Sequence, residues 1–224
     1  MTLNAILQDP YSVEFEITSK CTLACSECPR TTLKSKPEIW NFGELDISII
    51  EKVASSVSSK RLVFCGGYGD PIYHSRLFDI IDICHRYEKI IHLETCGNLR
   101  SKDWWHELAR RLHRYDAVHF SVDGLAHNNH LYRKNANWDS IYSAMEIMGA
   151  NAKCRLAWKW ILFKYNENDI LEGYKLCKKL NIPMFRLVES GRLPPGFEPT
   201  KTYEQAVAEI EEYKRTLSLD SSVN

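Results

Sequence analysis

Arg61-Leu62-Val63-Phe64-Cys65-Gly66-Gly67-Tyr68-Gly69-Asp70-Pro71 runs from a short apolar stretch directly into a glycine-rich turn. An apolar run of this length, closed by glycines, predicts a buried strand ending at Cys65. Ser75–Arg86 then carries a helical pattern, and Ile90–Thr95 predicts a second strand. Strand, covering helix and strand make a βαβ unit, whose two strands lie parallel.

The alternation continues in both directions. Val13–Thr18, Ala117–Val122, Arg155–Phe163 and Met184–Val188 predict further strands, and Leu45–Val57, Lys102–His113, Trp138–Met148 and Glu167–Leu180 predict helices between them. In the first helix Leu45, Ile49, Val53 and Val57 recur every fourth residue and form one apolar stripe. In Glu167–Leu180 the stripe is Ile170, Tyr174 and Cys177, with Lys175, Lys178 and Lys179 facing away. Six strands are fewer than a closed (β/α) barrel contains. The expected fold class is therefore α/β: a partial (β/α)6 TIM-like barrel of parallel strands with outer helices. A core domain is expected over residues 1–200, with a C-terminal helix and tail over 201–224. There, Gly191–Thr200, with Pro194-Pro195-Gly196, predicts a loop before a helix near Tyr203–Leu217, and Ser218–Asn224 predicts a frayed tail.

The strands also carry a polar phase. Glu14 and Glu16 alternate with Val13, Phe15 and Ile17. His92 and Glu94 alternate with Ile91 and Leu93, and His119, Ser121 and Asp123 with Phe120 and Val122. Lys159 lies between Trp158 and Trp160, and Arg186 between Phe185 and Leu187. With crossover helices outside, the polar phase must point into the barrel, where acids, bases and imidazoles favour a binding site over a core.

Composition narrows the function. The 224 residues hold 29 basic and 29 acidic side chains, so no net charge favours a nucleic-acid partner. Hydrophobic residues at 44% exclude disorder as a class. No apolar run approaches the roughly 20 residues of a membrane span. Met1–Asp9 lacks the basic region and apolar stretch of a secretory signal, so a cytoplasmic location is expected, with no nucleic-acid or membrane partner.

Eight cysteines in such a chain are not expected to form a disulfide framework. Cys65, Cys84, Cys96, Cys154 and Cys177 are scattered; Cys21, Cys25 and Cys28 crowd into Cys21-Thr22-Leu23-Ala24-Cys25-Ser26-Glu27-Cys28. That spacing lets one loop aim three thiolates at a common point. A tetrahedral zinc site would need a fourth ligand, and no close second Cys or His pair follows. A cubane iron–sulfur cluster can use three thiolates and leave one iron open to a ligand. Packing as small buried hydrophobes is the third possibility.

The spacing resembles the Cys-x-x-x-Cys-x-x-Cys signature of radical S-adenosylmethionine (radical SAM) enzymes, and later segments agree in order. Gly66-Gly67-Tyr68-Gly69-Asp70-Pro71 resembles the family's glycine-rich motif, with Asp70 in place of the usual Glu. Thr95-Cys96-Gly97-Asn98 is similar to its Thr-Asn-Gly turn, and Phe120-Ser121-Val122-Asp123-Gly124 to its Ser-Val-Asp-Gly strand end. Tyr132-Arg133 and Ile161–Ile170 fit the same pattern. The resemblance covers about residues 12–190 and is nearest the core domain of the molybdopterin-cyclase and SPASM/Twitch branch. Glu27 replaces the aromatic or apolar residue of that loop, and with no cysteine after Cys177 no auxiliary-cluster domain is expected.

This resemblance implies a 4Fe–4S cluster on Cys21, Cys25 and Cys28. It implies S-adenosylmethionine bound by Gly67, Gly69, Asp70, Thr95, Ser121, Asp123 and Arg133, with Arg133 toward the methionine carboxylate. It implies reductive cleavage to a 5′-deoxyadenosyl radical that abstracts hydrogen from a small polar or peptide substrate. Flavodoxin or ferredoxin would serve as one-electron reductant. Lys159, Glu94 and Cys96 are the candidate catalytic residues, and Glu14, Glu16, His92 and Arg186 further substrate contacts. A glycyl-radical-enzyme activase, a deazaguanine-type synthase and a non-enzymatic iron–sulfur or zinc-binding protein are the alternatives.

Overall fold

The computed structural model describes residues 11–221. Six parallel strands form one sheet in chain order: β1 (Val13–Phe15), β2 (Arg61–Phe64), β3 (Ile90–Thr95), β4 (Ala117–Ser121), β5 (Arg155–Ile161) and β6 (Met184–Val188). The connecting helices are α1 (Pro29–Leu33), α2 (Ile47–Ser56), α3 (Leu77–Arg86), α4 (Lys102–Arg111), α5 (Asn129–Tyr132), α6 (Trp138–Asn151) and α7 (Ile170–Lys179). A last helix, α8 (Tyr203–Ser221), follows β6. The strand order ends at β6 without pairing back to β1, so the sheet is an open (β/α)6 barrel, as expected.

Side chains alternate across a strand, so the pairing register decides which residues share a face. Val63 pairs with His92, Glu94 with His119, Ser121 with Lys159, and Lys159 with Arg186. These residues all lie on one face. Phe64, Leu93, Phe120, Trp158 and Trp160 point the other way and are fully buried in the main core with the helices. The polar phase thus faces inward, as read from the alternation. Side-chain caps start several helices: Asp46 accepts from Ser48 N (2.8 Å), Ser101 from Trp104 N (3.2 Å) and Asn137 from Ser140 N (2.9 Å). Ala206 and Ile210 of α8 are buried in the same core.

Some boundaries differ from expectation. β1 stops at Phe15 rather than Thr18, because the next residues pair with the approach to α2: Leu45 N donates to Ile17 O (2.8 Å) and Ser19 N to Gly43 O (3.0 Å). β5 stops at Ile161 rather than Phe163, where the Asn166 side chain takes over, accepting from Phe163 N (2.8 Å) and donating to Ile161 O (2.9 Å). The short helices α1 and α5 had no periodic pattern to announce them. The frayed tail expected from Ser218 is helical to Ser221; residues 222–224 and the leader reading of Met1–Asp9 lie outside the described residues. No helix among the described residues is long and apolar enough to cross a membrane.

Candidate active site

A cavity of about 540 Å3 opens at the C-terminal ends of the strands. Parallel (β/α) sheets place ligands there. Every residue expected to serve catalysis, cofactor or cluster lines it: Cys21, Cys25, Cys28, Gly67, Gly69, Asp70, Glu94, Thr95, Cys96, Ser121, Asp123, Arg133 and Lys159. Glu14 lines it too. Three other expected substrate contacts are not among its lining residues. Glu16 is engaged by the glycine turn, its carboxylate accepting from Gly67 N (2.9 Å) and Tyr68 N (3.1 Å). Arg186 is exposed on β6, the edge strand. His92 is one row further down the sheet, beside Glu94 and His119.

The cysteine loop is laced to the rest of the barrel mouth. Asp70 N donates to Lys20 O (2.8 Å), and Gly69 lies so close to Thr18 that a Cβ there would drive into the Thr18 carbonyl oxygen. Ala24 N donates to Lys134 O (3.0 Å), tying the loop to the α5 side. Leu23 and Cys25 pack on Tyr132 and Phe163 in a second apolar cluster. The buried guanidinium of Arg30 donates to the Leu23 carbonyl. Thr31 Oγ1 donates to Cys25 O (3.1 Å), so the loop runs directly into α1, with Pro29 at its first turn.

The cysteine loop offers the donor set of an iron–sulfur cluster. Three thiols from one short loop line one cavity. Burial pushes the Cys25 thiol up, and the neighbouring Cys28 and Cys21 push it further. Thiolates this crowded disfavour one another's charge, and a cationic iron centre would relieve that repulsion. Within the adjoining Cys21–Cys96 pair, each thiol shifts the other, lowering Cys21 and raising the buried Cys96. The residues fit the group.

Two buried carboxylates organise the strand ends. Asp70 Oδ2 accepts from Thr95 Oγ1 (3.0 Å) and Cys96 N (2.8 Å), and its Oδ1 accepts from Ile72 N (3.2 Å). It therefore clasps the end of β3 to the glycine turn. Asp123, 1% exposed, accepts from Arg133 Nε at Oδ2 (2.6 Å) and from Ile161 N at Oδ1 (2.8 Å). Burial disfavours the Arg133 charge, but Asp123, with Cys25 adding, holds its pKa well above the ordinary value. Arg133 Nη1 reaches to 3.9 Å from Cys25 Sγ, so a fixed cation sits beside the cysteine loop.

Deeper in the lumen, Lys159 Nζ donates to Glu94 Oε2 (2.7 Å). Glu94 Oε1 lies 3.2 Å from both His92 Nε2 and His119 Nδ1. Burial opposes the Glu94 charge, yet His119, His92 and Lys159 hold its carboxyl well below the usual range. Cys96 is buried against Cys21 and Asp70 rather than directed toward Glu94 and Lys159.

Several residues in and around the site had no role assigned from the sequence. Arg192 and Glu189 come from the segment after β6, which read only as a connector. Arg30, immediately after Cys28-Pro29, could have been found from its position alone. Asn98 is fully buried, donating to Thr22 Oγ1 (2.8 Å) and accepting from Asn137 N (2.9 Å); it joins the cysteine loop to the start of α6.

Comparison with known proteins agrees with this geometry. The family model described as "Radical SAM superfamily" matches residues 15–188. A curated relative, the tungsten-containing aldehyde ferredoxin oxidoreductase cofactor-modifying protein of Pyrococcus furiosus, is 27% identical over 113 residues, covering 49% of this chain and 30% of that protein. Among solved structures, Streptococcus suis SuiB bound to S-adenosylmethionine has a TM-score of 0.72 at 14% identity, over 96% of this chain and 49% of SuiB. SuiB bound to its precursor peptide SuiA gives 0.70 at 14% identity, over 94% and 47%. Native anSMEcpe with bound AdoMet gives 0.67 at 16% identity, over 94% and 61%. At these identities the solved structures speak to the fold alone. The chain spans less than a third of the curated relative's length.

Proposed function

The chain belongs to the radical SAM superfamily, and from that premise we propose that it is an enzyme holding a 4Fe–4S cluster on Cys21, Cys25 and Cys28 and acting on a small polar or peptide substrate. With cluster and S-adenosylmethionine bound, the chemistry supplied is one-electron cleavage of the sulfonium to methionine and a 5′-deoxyadenosyl radical that abstracts hydrogen.

The observation that carries the reading is the convergence of the three cysteines and four strand ends on one cavity. Arg133 presents a cation next to Cys25, suited to a carboxylate. The Gly66–Gly69 turn brings its backbone to the cavity wall, where side chains would keep a ligand away. The hydroxyl of Ser121 faces the same space. Asp70 and Thr95 engage each other, and Asp123 engages Arg133 and β5, so these three act mainly as positioning residues for the cofactor groups. Leu23, Tyr132 and Phe163 form an apolar base beneath the loop that keeps water from it.

Glu14, Glu94, Lys159, Glu189 and Arg192 offer both charges to a substrate. That mixture suits a zwitterionic or amide-rich molecule such as an amino-acid residue, and the peptide-bound SuiB is consistent with this class. The Lys159–Glu94 pair would hold such a group by charge-assisted hydrogen bonds. A flavodoxin or ferredoxin is the proposed electron donor. The test is substrate deuteration: label from the true substrate appears in 5′-deoxyadenosine, and a candidate that transfers none is excluded.

A further inference from the structure

Below the cavity, β3 and β4 bring three metal-binding side chains together. His92 and Glu94 are two apart on β3 and so share a face, and Glu94 pairs with His119 on β4. His92 Nε2 and His119 Nδ1 each lie 3.2 Å from the same oxygen, Glu94 Oε1, and the three donor atoms lie within 4.8 Å of one another. Donors bound at ~2.1 Å in a tetrahedron stand ~3.4 Å apart, and the two His–Glu separations already match one shared ion.

The orientation of the rings is the second observation. Both nitrogens are shut off from solvent, and neither makes a hydrogen bond among the described residues. Each stands 3.2 Å from Glu94 Oε1, within ion-pair distance but outside hydrogen-bond geometry. The rings are edge-on, with centroids 4.0 Å apart. Two buried imidazole nitrogens that meet a carboxylate oxygen outside hydrogen-bond geometry are poorly satisfied, and a shared cation would bond both. Meanwhile Lys159 occupies the other oxygen of Glu94, fixing the carboxylate as an outer partner fixes a metal ligand.

We propose that His92, Glu94 and His119 form a second metal site, for one borderline divalent cation such as Zn2+, in the floor of the lumen. Two imidazoles and a carboxylate suit such an ion and leave a coordination position open. Because Glu94 also lines the cavity, that position would face the substrate and take a carboxylate, hydroxyl or carbonyl oxygen. The site shares no residue with the cysteine loop, so zinc loading and iron loading can fail separately.

The experiment uses the full chain, anaerobically reconstituted with iron and sulfide so that the cysteines are occupied, then desalted and titrated with zinc sulfate against a chromophoric chelator. The expected result is one zinc per chain beyond the iron. Its affinity should fall at least tenfold in His92→Ala and in His119→Ala, with iron per chain unchanged. Zinc-edge X-ray absorption on the His113→Ala chain, which breaks the other two-imidazole–carboxylate group at His85, His113 and Asp116, keeps the test decisive where a lumen variant does not fold. Nitrogen and oxygen neighbours with imidazole scattering and no sulfur support the site. Sulfur bound to the zinc, no zinc retained after desalting, or folded variants with wild-type zinc affinity would each overturn it.

Discussion

Arg133 and Asp123, ten residues apart, form a buried ion pair at 2.6 Å whose cationic end reaches to 3.9 Å from Cys25 Sγ. The second Asp123 oxygen accepts from Ile161 N, so the carboxylate has little capacity left for an outside ligand. Its role is to aim the guanidinium and fix the end of β5.

Asp123→Asn is the sharper substitution, since it keeps an acceptor for Ile161 N and removes the charge that holds Arg133. We expect iron per chain to be retained and S-adenosylmethionine affinity to fall about tenfold or more, in line with ~1.5–3 kcal/mol for a hydrogen bond to a charged group. Equilibrium binding to the folded, iron-loaded variant checks this. An unchanged affinity would show that Arg133 holds its place without Asp123.

Cys21→Ala, Cys25→Ala and Cys28→Ala should each lose iron and 5′-deoxyadenosine formation together. Cys84→Ala and Cys177→Ala serve as controls: both cysteines are fully buried on helices away from the cavity, and their variants should keep iron. Iron and sulfide analysis after identical reconstitution separates the two groups. Equal iron in all five variants would argue against the cysteine loop as the cluster site.

Gly69→Ala should be poorly tolerated, destabilised by about 3 kcal/mol or more, because its Cβ would meet the Thr18 backbone oxygen, which cannot move without breaking the loop. Gly191→Ala meets nothing within 4 Å and should unfold at nearly the wild-type urea midpoint. Similar midpoints for the two variants would mean that the glycine turn is not packed against Thr18.

Acid should weaken the anchor of the cysteine loop at Lys20. Burial raises the Glu44 carboxyl, but Lys20 and Ser75 outweigh it and bring the pKa to about 2, below the ordinary 4.5. A depressed folded-state pKa contributes stability that is fully present above about 4.5 and disappears as pH falls toward about 2. The gap in urea midpoint between wild type and Glu44→Gln should therefore be largest near neutral pH and close across that window. A gap that stays constant to about pH 2 would contradict the assignment.

The six strands, their parallel order and the inward polar phase were all legible, because each rests on a local pattern: apolar runs, helical stripes and glycine turns. The gathering of Cys21, Gly67, Thr95, Ser121 and Arg133 was legible only through the order of motifs along the chain. What stayed hidden depends on geometry between distant segments. Glu16 shares the phase of Glu14, yet the Gly67 and Tyr68 amides claim its carboxylate. His92 and His119 look like separate lumen residues until the β3–β4 register brings both to one Glu94 oxygen. Arg192 arrives on a loop with no periodicity, and the short helices α1 and α5 hold too few turns to show a stripe.

Reductive cleavage of S-adenosylmethionine by the anaerobically reconstituted chain, with dithionite as reductant and 5′-deoxyadenosine and methionine quantified by mass spectrometry, tests the central claim most directly. The account predicts roughly four irons per chain and equal amounts of the two products, with both products absent from the Cys21/Cys25/Cys28→Ala triple variant. Iron-loaded, folded protein that binds S-adenosylmethionine and yields no more 5′-deoxyadenosine than that triple variant would contradict it.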